Sequence, residues 1–341
     1  MKVVQLKWWE KELRMPQNHY ELTETFLLPK PLDIPEDYIG YNPSAIWTVN
    51  DKSDKPHDIL YVRVEPDHLG SDSSHLGKSR VRPYEIDLID LRKPLKPYPE
   101  ADEQIGEDAS LTRINRRLAS GAIERIWLLS CVDAKPFPFK PNEVRTLRTR
   151  YYAGKKLDRL EHIADGPVLM KDIRISEDLI DDTALHVYGR PRKIDSGSGN
   201  ITYTKINGIE DLDEEVISQA PYIDEKLFPK WGSSWGGVND IIPMGADNNL
   251  LLGHRAWKTD QDDGGVHYEA VLYDHNIKAK RITELGILAT ASAFSEGHVK
   301  DNVDVNLSDV VFPGGGYNGN LNIVSFGVRD GAIGVGLVQK K

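Results

Sequence analysis

Almost nowhere in this chain do apolar residues recur at the three-to-four spacing of a helix; they alternate, or gather in short runs bounded by Gly, Pro, Asn and Asp. Ile59-Leu60-Tyr61-Val62-Arg63-Val64, Ile126-Trp127-Leu128-Leu129, Ala184-Leu185-His186-Val187-Tyr188, Ala270-Val271-Leu272-Tyr273 and Leu321-Asn322-Ile323-Val324-Ser325-Phe326 read as strands. The pattern predicts an all-β fold. Only Thr112 to Ala122 and Asp211 to Ser218 can be helical, and both are short enough to be strand connections.

A loose repeat orders these strands. Polar or Gly-rich openings fall at Tyr41-Asn42-Pro43-Ser44, Glu107-Asp108-Ala109-Ser110, Met170-Lys171-Asp172-Ile173, Trp235-Gly236-Gly237-Val238 and Ser308-Asp309-Val310-Val311-Phe312. Their spacing is roughly 60 to 70 residues, longer than a minimal four-stranded blade. Radial repetition limits exposed sheet edges. Five openings therefore predict a five-bladed β-propeller in one domain over 1–341, with approximate blades at 41–100, 105–165, 168–225, 233–290 and 305–341. Ser308 to Gln339 holds too few strands for a blade, so an N-terminal strand between Val3 and Leu28 is expected to complete the last one. A β-sandwich is the structural alternative.

Charge and cysteine content narrow the partners. The net charge is −10, from 53 acidic and 43 basic residues spread along the chain, so there is no basic field to attract nucleic acid. Cys131 is the only cysteine, which excludes a disulfide framework. The sequence around Met1 to Trp9 lacks an apolar signal core, and no run is long enough for a bilayer span. A soluble cytoplasmic protein without a membrane or nucleic-acid partner is expected, with a homo-oligomer left open.

The five openings also carry a family resemblance, spread over Tyr41 to Val338. Asn42-Pro43 is followed by Tyr61-Val62-Arg63-Val64-Glu65, and Glu107-Asp108-Ala109-Ser110-Leu111-Thr112 opens the second blade. Lys171-Asp172 precedes His186-Val187-Tyr188-Gly189-Arg190-Pro191, and Trp235-Gly236-Gly237 precedes Leu252-Gly253-His254-Arg255. The chain closes with Val310-Val311-Phe312-Pro313-Gly314-Gly315, Ser325-Phe326-Gly327-Val328-Arg329-Asp330 and Ile333-Gly334-Val335-Gly336. In this order the motifs resemble glycoside hydrolase family 130, the β-mannoside phosphorylases and related hydrolases built on five-bladed propellers. That family has Glu-Asp-Pro-Arg where this chain has Glu107-Asp108-Ala109-Ser110, so the acid pair is kept and the Pro-Arg half is not.

The resemblance implies cleavage of a β-mannoside-like glycosidic bond by phosphorolysis or hydrolysis, with no cofactor and with inorganic phosphate as a possible co-substrate. Such cleavage needs a proton for the leaving oxygen and a nucleophile. Asp108 is the implied general acid. Lys171, Arg190 and His254 are the implied phosphate or anion ligands, with Arg63 and Arg255 as seconds. Asn42, Arg63, Glu107, Asp172, Asp330 and Trp235 are the implied sugar contacts, and Glu296 a possible base in a hydrolytic version. Each has a plainer reading: a solvated turn for Glu107-Asp108, a surface cation for Arg190, a core histidine for His254, an Asp-Gly hairpin turn for Asp330, and blade packing for Trp231, Trp235 and Trp257. Loss of Pro-Arg keeps a non-catalytic carbohydrate-binding propeller, or a diverged relative with another reaction, open beside the enzyme.

Other site types are poorly supported by spacing. His57, His68 and His75 fit no recognised metal-ligand set. Gly314-Gly315-Gly316 lacks the Lys-Ser/Thr ending of a phosphate loop, and reads as a blade turn. Cys131 reads as a buried small apolar side chain, and Ser196-Gly197-Ser198-Gly199-Asn200 as a hairpin loop.

Overall fold

The computed structural model describes residues 20–50, 55–66, 78–137, 140–191, 199–224, 227–228, 234–258, 265–294 and 307–341. The N-terminal strand β1 covers Tyr20–Leu27. The first blade holds β2 (Tyr38–Tyr41), β3 (Trp47–Val49), β4 (His57–Pro66), β5 (Arg80–Glu85), β6 (Lys96–Pro97) and β7 (Gln104–Ile105). The second holds β8 (Glu107–Arg117), β9 (Ile123–Phe137), β10 (Lys140–Gly154) and β11 (Glu161–Asp165). The third holds β12 (Met170–Glu177), β13 (Leu185–Pro191) and β14 (Thr202–Ile206). The fourth holds β15 (Trp235–Pro243), β16 (Asn248–Lys258), β17 (Val266–Asn276) and β18 (Arg281–Ala289), and the fifth β19 (Val311–Tyr317), β20 (Asn320–Val328) and β21 (Ala332–Lys340).

These five antiparallel sheets form a five-bladed β-propeller. β1 pairs along β21, so the expected N-terminal strand completes the last blade. Thr112 to Ala122 belongs to β8 and the turn after it, while Asp211 to Ser218 contains the one-turn helix α1 (Glu214–Ser218), N-capped by Asp213.

The apolar core explains why the ring closes. It divides into clusters that each join one blade to the next. Ile59, Tyr61 and Val81 meet Leu111, Trp127 and Leu129 between blades one and two. Ile126, Leu128 and Tyr151 meet Ile173, Ile175 and Val187 between two and three. Tyr188 and Ile201 meet Val238, Leu251 and Tyr273, and Leu252 and Leu272 meet Val324 and Phe326. Leu60, Val62 and Tyr84 close the circle against Ile333 and Val335. No blade buries its own faces alone, so the sheets are stable only as a ring. Cys131 is fully buried in β9, as its reading as a small apolar side chain requires.

A local irregularity recurs at the start of the blades. Pairing slips between Glu107 and Ser110 on β8, between Lys171 and Arg174 on β12, between Val238 and Asp240 on β15, and between Pro313 and Gly315 on β19. Asp108 and Asp172 sit in these bulges with φ of +48° and +50°, and Asn42, just after β2, has φ of +45°. Asn and Asp are the side-chain-bearing residues that tolerate this region best, and a bulge re-aims a side chain out of the ladder. Asn42 and Asp108 are thereby turned toward one another, with the Asn42 amide donating to Asp108 at 3.1 Å.

Candidate active site

Two charged poles meet where the blade openings converge. At the first, Arg63 on β4 reaches Glu65 through Nε at 2.9 Å and Nη2 at 2.8 Å, Glu107 at 3.4 Å and Asp108 at 3.5 Å. Its guanidinium also lies 4.9 Å from the centre of the Tyr41 ring. Glu65 in turn accepts from the Tyr41 and Ser79 hydroxyls. Burial works against charge on Arg63, but Glu107, Glu65 and Asp108 outweigh it and hold the guanidinium protonated.

Asp108 bridges to the second pole. Its Oδ1 accepts from Asn42 Nδ2 at 3.1 Å, and its Oδ2 lies 3.6 Å from Lys171 Nζ, which is also 3.5 Å from Glu107. Burial raises the proton affinity of Asp108, yet Lys171, Arg63 and the Asn42 amide prevail, so its carboxyl sits below the ordinary range and is ionised in the free protein. Asp172, one residue on from Lys171, accepts from Arg190 Nε at 2.6 Å. Here too burial is overcome, chiefly by Arg190, and Asp172 is firmly ionised.

His254 lies 3.8 Å from Asp172 through Nε2 and shares a hydrogen bond of 2.8 Å between Nδ1 and Asn239 Oδ1. It is fully buried, stacked on Tyr268 and tilted against Phe312, and burial pulls its pKa down to about 3. As a neutral ring whose Nδ1–H donates to Asn239 Oδ1, it leaves Nε2 as an acceptor, suited to a hydroxyl and not to a bare anion oxygen. It stands in the middle of β16, whereas its sequence context suggests the end of a strand. Its Nε2 is buried without a hydrogen bond among the described residues, a polar atom facing the anion pole.

Gly237 permits this approach. A Cβ there would lie 2.7 Å from Asp172 Oδ2 and 3.1 Å from His254 Cε1. Gly237→Ala is expected to turn the Asp172 carboxylate off Arg190 and to cost about 1–3 kcal/mol of stability. Urea denaturation checks this; a variant as stable as the parent would refute the packing argument.

Asp330 and Trp235 complete the wall. Asp330 lies in the β20–β21 hairpin turn with φ of +43°, so the plain Asp-Gly turn reading holds whatever else the side chain does. Its pKa is pushed up to about 6, first by burial and then by Asp108 and Glu65, against the opposing pull of Arg63 and Lys171. Trp235 donates through Nε1 to the Tyr268 hydroxyl at 3.2 Å, edge-on to that ring.

Among the described residues singled out as catalytic, sugar-binding or anion-binding, all but one are thus brought into one cluster. Arg255 is not; it points to Glu269 and Glu284 on the blade's other side. Trp257 stacks on His267, and His57 pairs with Glu85 on the outer part of blade one. Trp231, Glu296, His68, His75 and Ser196-Gly197-Ser198 lie outside the described residues. Tyr41, Glu65, Asn239 and Tyr268 join the site without having been singled out. For Tyr41 and Glu65 a signal existed: they flank Asn42 and Arg63 at the adjacent and the next-but-one position, inside the same two motifs. Among the described residues no group of His, Cys, Asp and Glu is placed to hold a metal ion, and no helix is long and apolar enough to cross a membrane.

The fold makes this chain a remote structural relative of the mannoside phosphorylases of glycoside hydrolase family 130. The chain belongs to DUF1861, described as a protein family of unknown function, whose model matches residues 123–330. No curated protein sequence matches it. Among solved structures it resembles MPT-4, a mannose phosphorylase from Leishmania mexicana in complex with phosphate ion, at 22% identity over 93% of this chain and 88% of that one, with a TM-score of 0.71. It also resembles MPT-1, a GDP-Man-dependent mannosyltransferase from the same organism, at 21% identity over 99% and 93% of the two chains, with a TM-score of 0.72. A β-1,2-mannobiose phosphorylase from Listeria innocua superimposes at 13% identity over 93% and 97%, with a TM-score of 0.58.

Proposed function

We propose that this protein is a carbohydrate-active enzyme that breaks the glycosidic bond of a β-mannoside-like substrate by transferring the glycosyl group to inorganic phosphate. The observation that carries this reading is the adjacency of an acid, Asp108, to an anion pole made of Lys171 and Arg190, with the acceptor Nε2 of His254 beside it for a sugar hydroxyl or the P–OH of hydrogen phosphate. Phosphate arrives already anionic, so it needs positioning by donors more than it needs a base. Asp108 gives the leaving oxygen its proton. Asn42, Arg63, Glu107, Asp172 and Asp330 offer hydroxyl partners, and Trp235 with Tyr268 an aromatic wall. The phosphate bound to MPT-4 and the mannosides named for the structural relatives support this choice of substrate class.

Binding without cleavage is the second reading. What favours it is the ionised, doubly paired state of Asp108, together with Ala109-Ser110 in place of Pro-Arg. The deciding experiment incubates the protein with mannosides, glucosides and arabinosides, with and without phosphate, and separately with GDP-mannose and free mannose. The expected result is release of a sugar 1-phosphate only when phosphate is present. Binding without turnover supports the second reading, turnover in water alone makes the protein a hydrolase, and mannosyl transfer from GDP-mannose alone removes phosphorolysis.

A further inference from the structure

His254 and Asn239 meet because the ladder between their strands slips. β15 pairs with β16 as Gly237 with His254 and Val238 with Gly253, and pairing resumes only at Asp240 with Leu252. Asn239 is the extra residue of that bulge, and a bulge re-aims a side chain out of the ladder. Its carbonyl accepts from Arg174 Nε at 3.0 Å and the residue is buried, so its amide is held against the imidazole. Asn239 Oδ1 lies 2.8 Å from His254 Nδ1. An amide oxygen can only accept, so the proton of the neutral ring sits on Nδ1 and Nε2 carries a lone pair.

That lone pair has charged neighbours. Nε2 is 3.8 Å from Asp172 Oδ2, the same oxygen that accepts from Arg190 Nε at 2.6 Å. Arg174 on β12 and Asp108 on β8 also act on the ring, which packs on Tyr268 of β17 and Phe312 of β19. An imidazole free to choose its tautomer would turn an N–H toward Asp172 and leave Nδ1 bare. Asn239 prevents it. The result is an acceptor beside Arg190 and Lys171, fully buried and without a hydrogen bond among the described residues. A ligand oxygen that carries a hydrogen can donate to it, whereas an oxygen with lone pairs alone sets lone pair against lone pair and leaves Nε2 unpaired.

We propose that Asn239 is a positioning residue that holds His254 as a hydrogen-bond acceptor, and that the anion pole thereby selects an oxyanion bearing a hydroxyl, hydrogen phosphate or hydrogen arsenate, over one without, such as sulfate. This rests on the phosphorolytic reading above and deepens it by fixing the protonation form of the anion. Hydrogen phosphate and sulfate are tetrahedral dianions of similar size, so Lys171 and Arg190 attract both alike. Only the P–OH proton tells them apart. It donates to Nε2 and leaves the remaining oxygens to the two cations. A site that pairs a ligand hydroxyl with a buried acceptor rejects the analogue lacking it, because the acceptor is then left without a partner.

The test is calorimetric titration of the full protein with inorganic phosphate, arsenate, sulfate and monofluorophosphate at mildly alkaline pH, where all four are dianions and only the first two keep a hydroxyl. Phosphate and arsenate should bind about 10-fold to 100-fold more tightly than the other two. Asn239→Leu removes the amide oxygen and keeps the bulk, so Nε2 takes the proton and faces Asp172 as an N–H. The preference should then vanish, whereas a merely structural role for Asn239 would weaken all four anions alike. Nitrogen NMR on protein labelled in the histidine rings reads the tautomer directly, with His254 assigned by the loss of its signals in His254→Gln. Nε2 should resonate as an unprotonated nitrogen in the parent, move on adding phosphate and not sulfate, and resonate as an N–H in Asn239→Leu. The parent measurements decide the matter even where that variant does not fold. Equal affinity for phosphate and sulfate, no binding of any of the four, or a protonated Nε2 in the free parent with the Asn239 amide reversed overturns the inference. The two readings fail separately: selectivity for phosphate with no turnover of any glycoside leaves the acceptor standing and removes the function, and phosphorolysis by a protein that binds phosphate and sulfate alike does the reverse.

Discussion

Replacing Arg63 by alanine is expected to destabilise the protein by about 3–5 kcal/mol, the largest stability loss of any single change in the site. The guanidinium is almost wholly buried and serves Glu65, Glu107 and Asp108 at once, at 2.8 to 3.5 Å. Without it three buried carboxylates face one another with Lys171 as their nearest cation, and the Tyr41 ring loses the cation over its face. Arg63→Lys should recover only part of the loss, because an ammonium cannot make the paired contact to Glu65 through Nε and Nη2. The pH dependence gives the sign. In the parent protein the carboxyls of Glu65 and Asp108 are held below their unfolded values, so their contribution is present above roughly pH 4 and is lost as pH falls through the lowered folded values. In Arg63→Ala the Glu65 carboxyl keeps only its Tyr41 and Ser79 donors and Asp108 only Lys171 and Asn42, so both pKa values rise toward or above the unfolded ones and the variant loses less stability on acidification than the parent does. The difference between the two proteins, read from urea midpoints, should therefore shrink from pH 7 to pH 3. A difference that stays constant would show that Arg63 contributes through packing and not through charge.

The same residues show why the fold was easier to read than the site. Asn42, Asp108 and Asp172 recur because each of the first three blades opens on a position of positive φ, within a bulge at Asp108 and Asp172, and an Asx residue is visible in the linear sequence. The strand runs between them alternate, so five blades and the closing N-terminal strand could be inferred. His254 was harder. Leu250, Leu251, Leu252 and Gly253 are all buried, so period-two alternation does not say which face of β16 points to the axis, and a run of apolar residues reads as if it ended at the histidine. Tyr268 gave no signal of its own, since its place over His254 is set by pairing with Ala256 on β16, within a tightly packed sheet. Protonation was the least legible property. Whether Asp108 or Asp330 carries a proton depends on cations contributed by β4 and β12, more than a hundred residues apart in sequence, and no local pattern records that sum.

Asp108→Asn should separate chemistry from folding. The substitution keeps the shape, and the amide oxygen can still accept from Asn42, so the 3.1 Å contact that orders the turn survives. The lost ion pairs, at 3.5 and 3.6 Å to Arg63 and Lys171, are long, and their loss is partly offset by relief of repulsion with Asp172 and Asp330. Stability should change by no more than about 1 kcal/mol. Turnover should fall by ~100-fold to 10,000-fold, the range for removing a positioned proton-transfer group. Phosphate affinity should move the other way: Lys171 loses one of its two carboxylate partners, keeping Glu107 at 3.5 Å, and an incoming anion no longer competes with Asp108 for it. Tighter phosphate binding with lost turnover and unchanged folding is a combination that a merely structural role for Asp108 does not produce. Steady-state rates with a sugar leaving group, calorimetric titration with inorganic phosphate and a urea denaturation curve on the same preparation decide it. Turnover equal to the parent would remove Asp108 from the chemistry, and weaker phosphate binding would place it within the anion site instead of beside it.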